Sequence, residues 1–395
     1  MNLAFTEKEE KLRRELREFA RKELPPDWHV GGYAEEYCTD YGWEVAQRMT
    51  RKLAEKGWLT MPWPKEYGGL GATRTEYLIY REEMAYNMMP GVDMGVGGVS
   101  WIGQTLILLG SDEQKRKHLR GIASGETYWC TGYSEPEAGS DLAALKCRAV
   151  RKGSEFVING QKVWTSAAHR AHWCWLAVRT DPDAPRHKGI SVLVVDMKTP
   201  GVTVRPLMNL AGMPENSEVF FDDVHVPEEC LIGQENDGWK VIMTALSFER
   251  TAGIEHLGRA RRLLEDLTVY VRETKRNGRR LVDDPIVRQK LAQHWIECEV
   301  GRLMCYNIAA MEDNGLVPGH EASAAKNFCS EMAHELSNTA LSLMGLYGQL
   351  GGDERAPLHA VAHTAYQFGV GDKIGGGTSE INRTLIAIRG LGLPR

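Results

Sequence analysis

Apolar positions in the first part of the chain recur every three or four residues, the spacing that gives a helix one buried face. Thr6 followed by Glu9 supplies a capping-box start, and Leu12, Leu16, Phe19 and Ala20 continue the stripe to about Glu23, where Pro25-Pro26 ends it. Residues 42 to 125 keep this rhythm, broken at Met61-Pro62-Trp63-Pro64 and at Gly68-Gly69-Leu70-Gly71. Near Tyr128 the period changes. Phe156-Val157-Ile158 leads into Asn159-Gly160, a type I′ hairpin signal, and then Lys162-Val163-Trp164. Further β-rich runs follow at Trp173 to Val178, Ile190 to Val195, Val202 to Val204 and Val219 to Val226. Helical spacing returns from Gly238 to Ile388, with long helices predicted over Trp239 to Tyr270 and Pro285 to Ala310. The order predicts an α+β protein: a helical segment at 1–126, a β-domain at 127–232 and a second helical segment at 233–395.

Length and composition narrow the class. A chain of 395 residues exceeds one ordinary domain, so two or three subdomains around a shared core are expected. The 43% apolar and 26% charged residues are those of a soluble globular protein. A net charge of −5 with no polybasic run argues against nucleic acid and anionic membranes as partners. The N-terminus enters a charged helical pattern without a signal-peptide stretch, and no apolar run reaches membrane-spanning length, which predicts a cytoplasmic location. The eight cysteines form no CxxC pair and read as separate reduced core thiols, with no metal site expected.

Three segments carry chemistry. Ser134-Glu135-Pro136-Glu137-Ala138-Gly139-Ser140-Asp141 is a turn rich in small residues that follows a strand, and such a turn offers backbone amides and hydroxyls to a ligand. Gly160-Gln161-Lys162-Val163-Trp164-Thr165-Ser166 places an aromatic ring two residues before a hydroxyl. Gly375-Gly376-Gly377 precedes Thr378-Ser379-Glu380-Ile381-Asn382-Arg383. At these spacings, and over nearly the whole length, the chain resembles the acyl-CoA dehydrogenase family of flavoenzymes. The resemblance implies that family's fold: an N-terminal helical domain, a middle β-barrel-like domain and a C-terminal four-helix bundle.

It also implies FAD, with Thr131, Tyr133, Ser134, Trp164, Thr165, Ser166, Gln349, Gly351, Thr378 and Glu380 as cofactor contacts. Trp164 would lie beside the isoalloxazine ring and Ser166 near N5. Ser140, Leu246, Arg250 and Gly377 would meet the CoA thioester substrate. Taken alone, the Ser134–Asp141 turn is an ordinary polar turn and a Trp on a strand is usually core, as expected for Trp173 and Trp175. The family's Arg-x-x-Phe-Gly anchor for a neighbouring subunit's FAD is replaced by Thr274-Lys275-Arg276-Asn277-Gly278, and its Gln-x-x-Gly-Gly motif is Gln349-Leu350-Gly351-Gly352, shifted by one. Arg272, Lys275 or Arg276 could take over the anchor, or form a solvated helix end.

Most family members carry the catalytic base as a glutamate just before the Gly-Thr pair; here that position is Gly376. The reaction removes a proton from Cα and a hydride from Cβ, and the thioester enolate needs donors on its oxygen. Gly376 keeps the N–H that the family uses there but lacks the carboxylate. In isovaleryl-CoA and long-chain acyl-CoA dehydrogenases the base stands instead on the long helix after the β-domain, immediately before an arginine, and Glu249-Arg250 falls on that place. Without the resemblance, Glu249 and Arg250 read as a solvated helical pair. Asp237, Asp372, Glu380 and His256 are lesser candidates, with a helix-capping role expected for Asp237. The relocated base and three glycines predict a branched, ring-bearing or otherwise bulky acyl group. An electron-transferring flavoprotein as acceptor and a homotetramer or dimer of dimers are implied by relatives. Two other readings are a non-catalytic or partner-dependent subunit of a hetero-oligomer, and a family oxidase or flavin monooxygenase.

Overall fold

The computed structural model describes residues 5–26, 28, 35–95, 97–248, 251 and 253–394. In chain order the first helices are α1 Glu7–Glu23, α2 Glu35–Cys38, α3 Asp40–Glu55, α4 Arg74–Tyr86, α5 Gly103–Leu109 and α6 Asp112–Ala123. Later come α7 Gly238–Ser247, α8 Gly253–Glu273, α9 Pro285–Asp313, α10 His320–Met344, α11 Val361–Asp372 and α12 Ser379–Leu385. The strands between are β1 Trp129–Gly132, β2 Arg148–Lys152, β3 Glu155–Ser166, β4 Trp173–Arg179, β5 Ile190–Asp196, β6 Val202–Leu207, β7 Asn216–Pro227 and β8 Leu231–Ile232. A two-stranded ribbon, β9 Lys275–Arg276 and β10 Arg279–Arg280, joins α8 to α9.

The chain divides into two compact units, one of Met1–Tyr33, Ala72–Met89 and Arg250–Arg395, the other of Ala34–Gly71 and Pro90–Glu249. In the first, α8 buries Leu257, Ala260, Leu264, Leu267 and Val271, a stripe at steps of three and four, against Leu291, Cys298 and Cys305 of α9 and Cys329, Leu336 and Ala340 of α10. Each buried leucine of this stripe contributes about 1.5–3 kcal/mol. The predicted start of α1 is present: Thr6 Oγ1 accepts from the Glu9 N–H at 3.3 Å and the Glu9 carboxylate accepts from the Thr6 N–H at 2.7 Å. The single helix expected over 239 to 270 is instead two, α7 ending at Ser247 and α8 starting at Gly253.

The second unit is built on an eight-stranded sheet in the order β6-β7-β3-β2-β4-β5-β8, with β1 pairing parallel to β4 through Cys130 opposite Cys174. The sheet is open, and among the described residues no pairing closes it into a barrel. Its core is Phe156, Ile158, Leu176, Val178, Leu193, Val195, Val219 and Val224.

The hairpin expected at Asn159-Gly160 is not there. β3 runs unbroken through both residues, and the β2–β3 turn falls at Gly153-Ser154, between the paired Lys152 and Glu155. Asn159 is held by Asp223, donating to its carboxylate at 2.9 Å and accepting from its N–H at 3.0 Å. Gly160 adopts φ +150°, and a Cβ there would stand 2.7 Å from Cys147 Cα. The pair therefore absorbs a register shift between Ile158 opposite Val224 and Gly160 opposite Phe221.

Candidate active site

A second irregularity in β3 shapes the motif around Trp164. Lys162 pairs with Val219 and Thr165 with Ser217, so Val163 and Trp164 oppose the single residue Glu218. This bulge puts Trp164 at φ +59° and turns its ring outward, 66% exposed, between the fully buried side chains of Lys162 and Thr165. Trp175 is completely buried, as expected of a strand tryptophan, and Trp173 is half-buried. Ser166 donates to Asn216 Oδ1 at 2.8 Å. Thr165 is fully buried, and its hydroxyl has no hydrogen-bond partner.

The loop after β1 lies beside this bulge. Val163 N–H donates to Ser134 O at 2.9 Å, the Trp175 indole N–H donates to the Tyr133 hydroxyl at 3.0 Å, and Thr131 pairs with Trp175 across the sheet. Thr131, Tyr133 and Ser134 are half-buried. Ser140 is exposed, next to Asp141, which is paired with Arg186. On α7, Val241, Ile242 and Ala245 face inward and Leu246 is 36% exposed. Glu249 and Arg250 lie outside the described residues.

In the other unit, Gly375, Gly376 and Gly377 are exposed between α11 and α12, with φ +63° at Gly376 and +92° at Gly377. Lys326, on α10 and 8% exposed, donates from Nζ to Gly377 O at 2.8 Å and to Asp372 O at 3.0 Å. Asn382 Nδ2 also donates to Gly377 O, at 2.9 Å. A Cβ at Gly376 would meet only Lys326 Cε, at 3.8 Å. Thr378 caps α12, its Oγ1 accepting from the Ile381 N–H at 3.1 Å. Glu380 is exposed in the first turn, held below the usual carboxylate range by its own N–H and the Thr378 hydroxyl. Gln349 and Gly351 are both exposed near the end of α10.

The lesser candidates have structural partners. Asp237 stands at the start of α7 but makes no side-chain capping bond, which corrects the expected role. Asp372 ends α11 with its carboxylate 3.4 Å from His256 Nδ1. Burial pushes Asp372 up, but His256, Arg259 and Lys326 outweigh it and hold the carboxyl below its ordinary value. Arg276 donates to Leu343 O at 2.6 Å, so this candidate anchor is used within its own unit. Among the described residues no cluster could hold a metal ion, and all eight cysteines are free, seven of them buried. Sequence reasoning did not single out Lys326, because periodicity places a lysine in solvent by default.

Comparison with known proteins agrees with this architecture. Family models of the acyl-CoA dehydrogenase N-terminal, middle and C-terminal domains match residues 6–126, 130–224 and 236–391. The chain is 35% identical over 408 residues to acyl-CoA dehydrogenase FadE26 of Mycobacterium tuberculosis, covering 100% of this chain and 99% of that one. Of solved structures, the Tcur3481-Tcur3483 steroid ACAD matches with a TM-score of 0.90 at 35% identity, covering 100% of both chains. The ChsE4-ChsE5 complex from Mycobacterium tuberculosis matches with a TM-score of 0.90 at 34% identity, again over 100% of both chains. No helix among the described residues is long and apolar enough to cross a membrane. The chain belongs to the acyl-CoA dehydrogenase family and is an oxidoreductase of that family.

Proposed function

We propose that the chain catalyses FAD-dependent α,β-dehydrogenation of an acyl-CoA thioester carrying a bulky, ring-bearing acyl group, giving the trans-2-enoyl-CoA. The observation that carries this reading is Trp164, an aromatic ring two-thirds exposed on a strand bulge inside a family flavin motif. An exposed tryptophan set at φ +59° between buried neighbours fits a surface awaiting a planar ring. Thr131, Tyr133, Ser134, Trp164, Thr165, Ser166, Gln349, Gly351, Thr378 and Glu380 would be the residues that hold FAD. Bound FAD would supply the hydride acceptor. Glu249 would take the α-proton, the Gly376 N–H would donate to the thioester oxygen, and Ser140, Leu246, Arg250 and Gly377 would line the substrate. Domain limits of 1–126, 127–232 and 233–395 go with this reading.

The size of the acyl group is argued from the open wall at Gly375–Gly377, where a side chain at 376 would have almost no neighbours. The steroid ACAD among the matched structures supports a fused-ring substrate. An electron-transferring flavoprotein is the proposed acceptor, and the cytoplasm the proposed location. A second reading, dependence on a partner chain, is favoured because both matched structures are named as pairs of chains, against the homotetramer implied by other relatives. Sedimentation of the purified chain alone and anaerobic titration with acyl-CoA thioesters separate the two. Glu249→Gln in the same titration is expected to slow flavin bleaching by roughly 10²–10⁴. Bleaching at the wild-type rate would remove Glu249 as the base, and a preference for short straight chains would remove the bulky substrate.

A further inference from the structure

Glu135 and Lys162 stand inside the two flavin motifs of the β-domain yet point away from solvent, Lys162 with no exposed surface and Glu135 at 8%. Lys162 Nζ donates to Glu135 Oε1 at 2.7 Å and to Tyr133 O at 3.0 Å. The same carboxylate accepts two main-chain N–H groups from the far end of the loop, Lys146 at 2.6 Å on Oε2 and Cys147 at 2.8 Å on Oε1. A lysine with no contact with water is tolerated only where an anion and further acceptors are in place. One buried pair therefore closes the loop from Tyr133 to Cys147 and ties its start to β3.

The position of the tie matters. Lys162 is the last residue of β3 in register with β7 before the bulge that turns Trp164 outward, and Val163 bonds back to Ser134. Tyr133 and Ser134 on one side, and Trp164 and Ser166 on the other, thus take their separation from the Glu135–Lys162 contact. We propose that Glu135 and Lys162 are positioning residues of the flavin site, fixing the spacing between the loop after β1 and the Trp164 bulge; this rests on the reading that the chain binds FAD. Neither side chain reaches the cofactor. They act by holding the groups that do in a geometry set before binding.

The test is fluorescence titration of apoprotein with FAD, beside thermal melting of the same apoprotein, for wild type, Glu135→Asp and the double variant Glu135→Gln/Lys162→Met. The double variant removes both charges and so leaves no unpaired ion buried. Glu135→Asp keeps both charges and withdraws the carboxylate by one methylene. Expected is FAD binding weaker by roughly tenfold to a hundredfold in both, the range seen for residues standing behind metal ligands, with the apoprotein still melting cooperatively. Binding unchanged in Glu135→Asp overturns the proposal, and this variant decides alone if the double variant does not fold. A loss of binding that only tracks the loss of folded apoprotein overturns it too. A wild-type chain that takes up no FAD would instead remove the cofactor reading itself.

Discussion

Replacing Gly376 by alanine separates the two things its missing side chain does. The backbone there has φ +63°, where an L-residue costs about 1–2 kcal/mol. Against this, alanine restricts the unfolded chain and recovers about 0.4–1 kcal/mol. The added methyl meets only Lys326 Cε, at 3.8 Å, an ordinary contact, so no packing penalty is added. The net expectation is a loss of about 1 kcal/mol, or about 2–4 °C in melting temperature for a unit of this size. Gly258→Ala is the control: its Cβ would stand 2.7 Å from Ala85 Cβ and 2.9 Å from Glu82 O, forcing α8 away from α4 at a cost of about 1–3 kcal/mol or more. Function is read as kcat/KM for flavin reduction by a short straight acyl-CoA and by a fused-ring one. The alanine keeps the N–H, so the short substrate is expected to change by less than about twofold, while the bulky one falls about tenfold, or about 1.4 kcal/mol of transition-state binding. Equal losses for the two substrates would refute the use of this space for the acyl group. A stability loss above about 3 kcal/mol would refute the open surroundings of Gly376.

Three further outcomes are expected. Lys326→Met removes the ammonium from Gly377 O and Asp372 O and is expected to cost about 3 kcal/mol in denaturant unfolding, since bonds to charged groups are worth about 1.5–3 kcal/mol; a change under about 0.5 kcal/mol would show that the lysine does not hold the loop. Trp164→Ala should leave apoprotein stability within about 0.5 kcal/mol, because the ring is 66% exposed, yet weaken FAD binding; unchanged FAD affinity would sink its role as ring surface. His118 is held neutral by burial, then by Lys117, with its pKa pushed down to about 4. Its stabilising effect is therefore complete above the unfolded value near 6.5 and is lost as pH falls from there toward 4, about 3 kcal/mol in all. His118→Phe should flatten the pH dependence of urea unfolding over that window, and an identical slope in the variant would remove this assignment.

Helices with a cap and a stripe were legible because local and tertiary forces agree in them. Thr6, Glu9 and Pro25 bound α1 where the sequence places its ends, and Pro285 starts α9. The Asn-Gly dipeptide shows where this agreement fails. Asn277-Gly278 makes the two-residue turn of the β9–β10 ribbon, at φ +52° and +81° between the paired Arg276 and Arg279. The same dipeptide at 159–160 makes no turn, because Asp223 and Cys147 claim it from neighbouring strands. In the site, Trp164 and the glycine run were legible as motifs. Lys162 was not: it shares the strand parity of the buried Phe156 and Ile158, but a lysine is placed in solvent by default and its partner Glu135 lies on a separate loop earlier in the chain. The Asp372–His256 pair was hidden for a similar reason, joining α11 to a helix more than a hundred positions away in the sequence.

The glycine run could be a lost site or a rebuilt one, and the way its shape is maintained bears on the choice. Three successive glycines have no side chains to hold a loop, and each loses more backbone freedom on folding than any other residue type. Left to themselves, they would be the least ordered part of the unit. Instead, the loop is gripped from outside by two side chains, Lys326 and Asn382, both closing on Gly377 O. Lys326 is 8% exposed and Asn382 6%, so both grips are made by buried polar groups that need an acceptor in this place. An N–H presented by Gly376 is useful to a thioester oxygen only if the peptide stays fixed while the charge develops. The buried ammonium holds the Gly377 carbonyl, which follows that N–H in the run, and a side chain at 376 would meet only Lys326 Cε. A loop gripped from outside in this way fits a rebuilt site better than a lost one, in keeping with the proposal that the base comes from position 249.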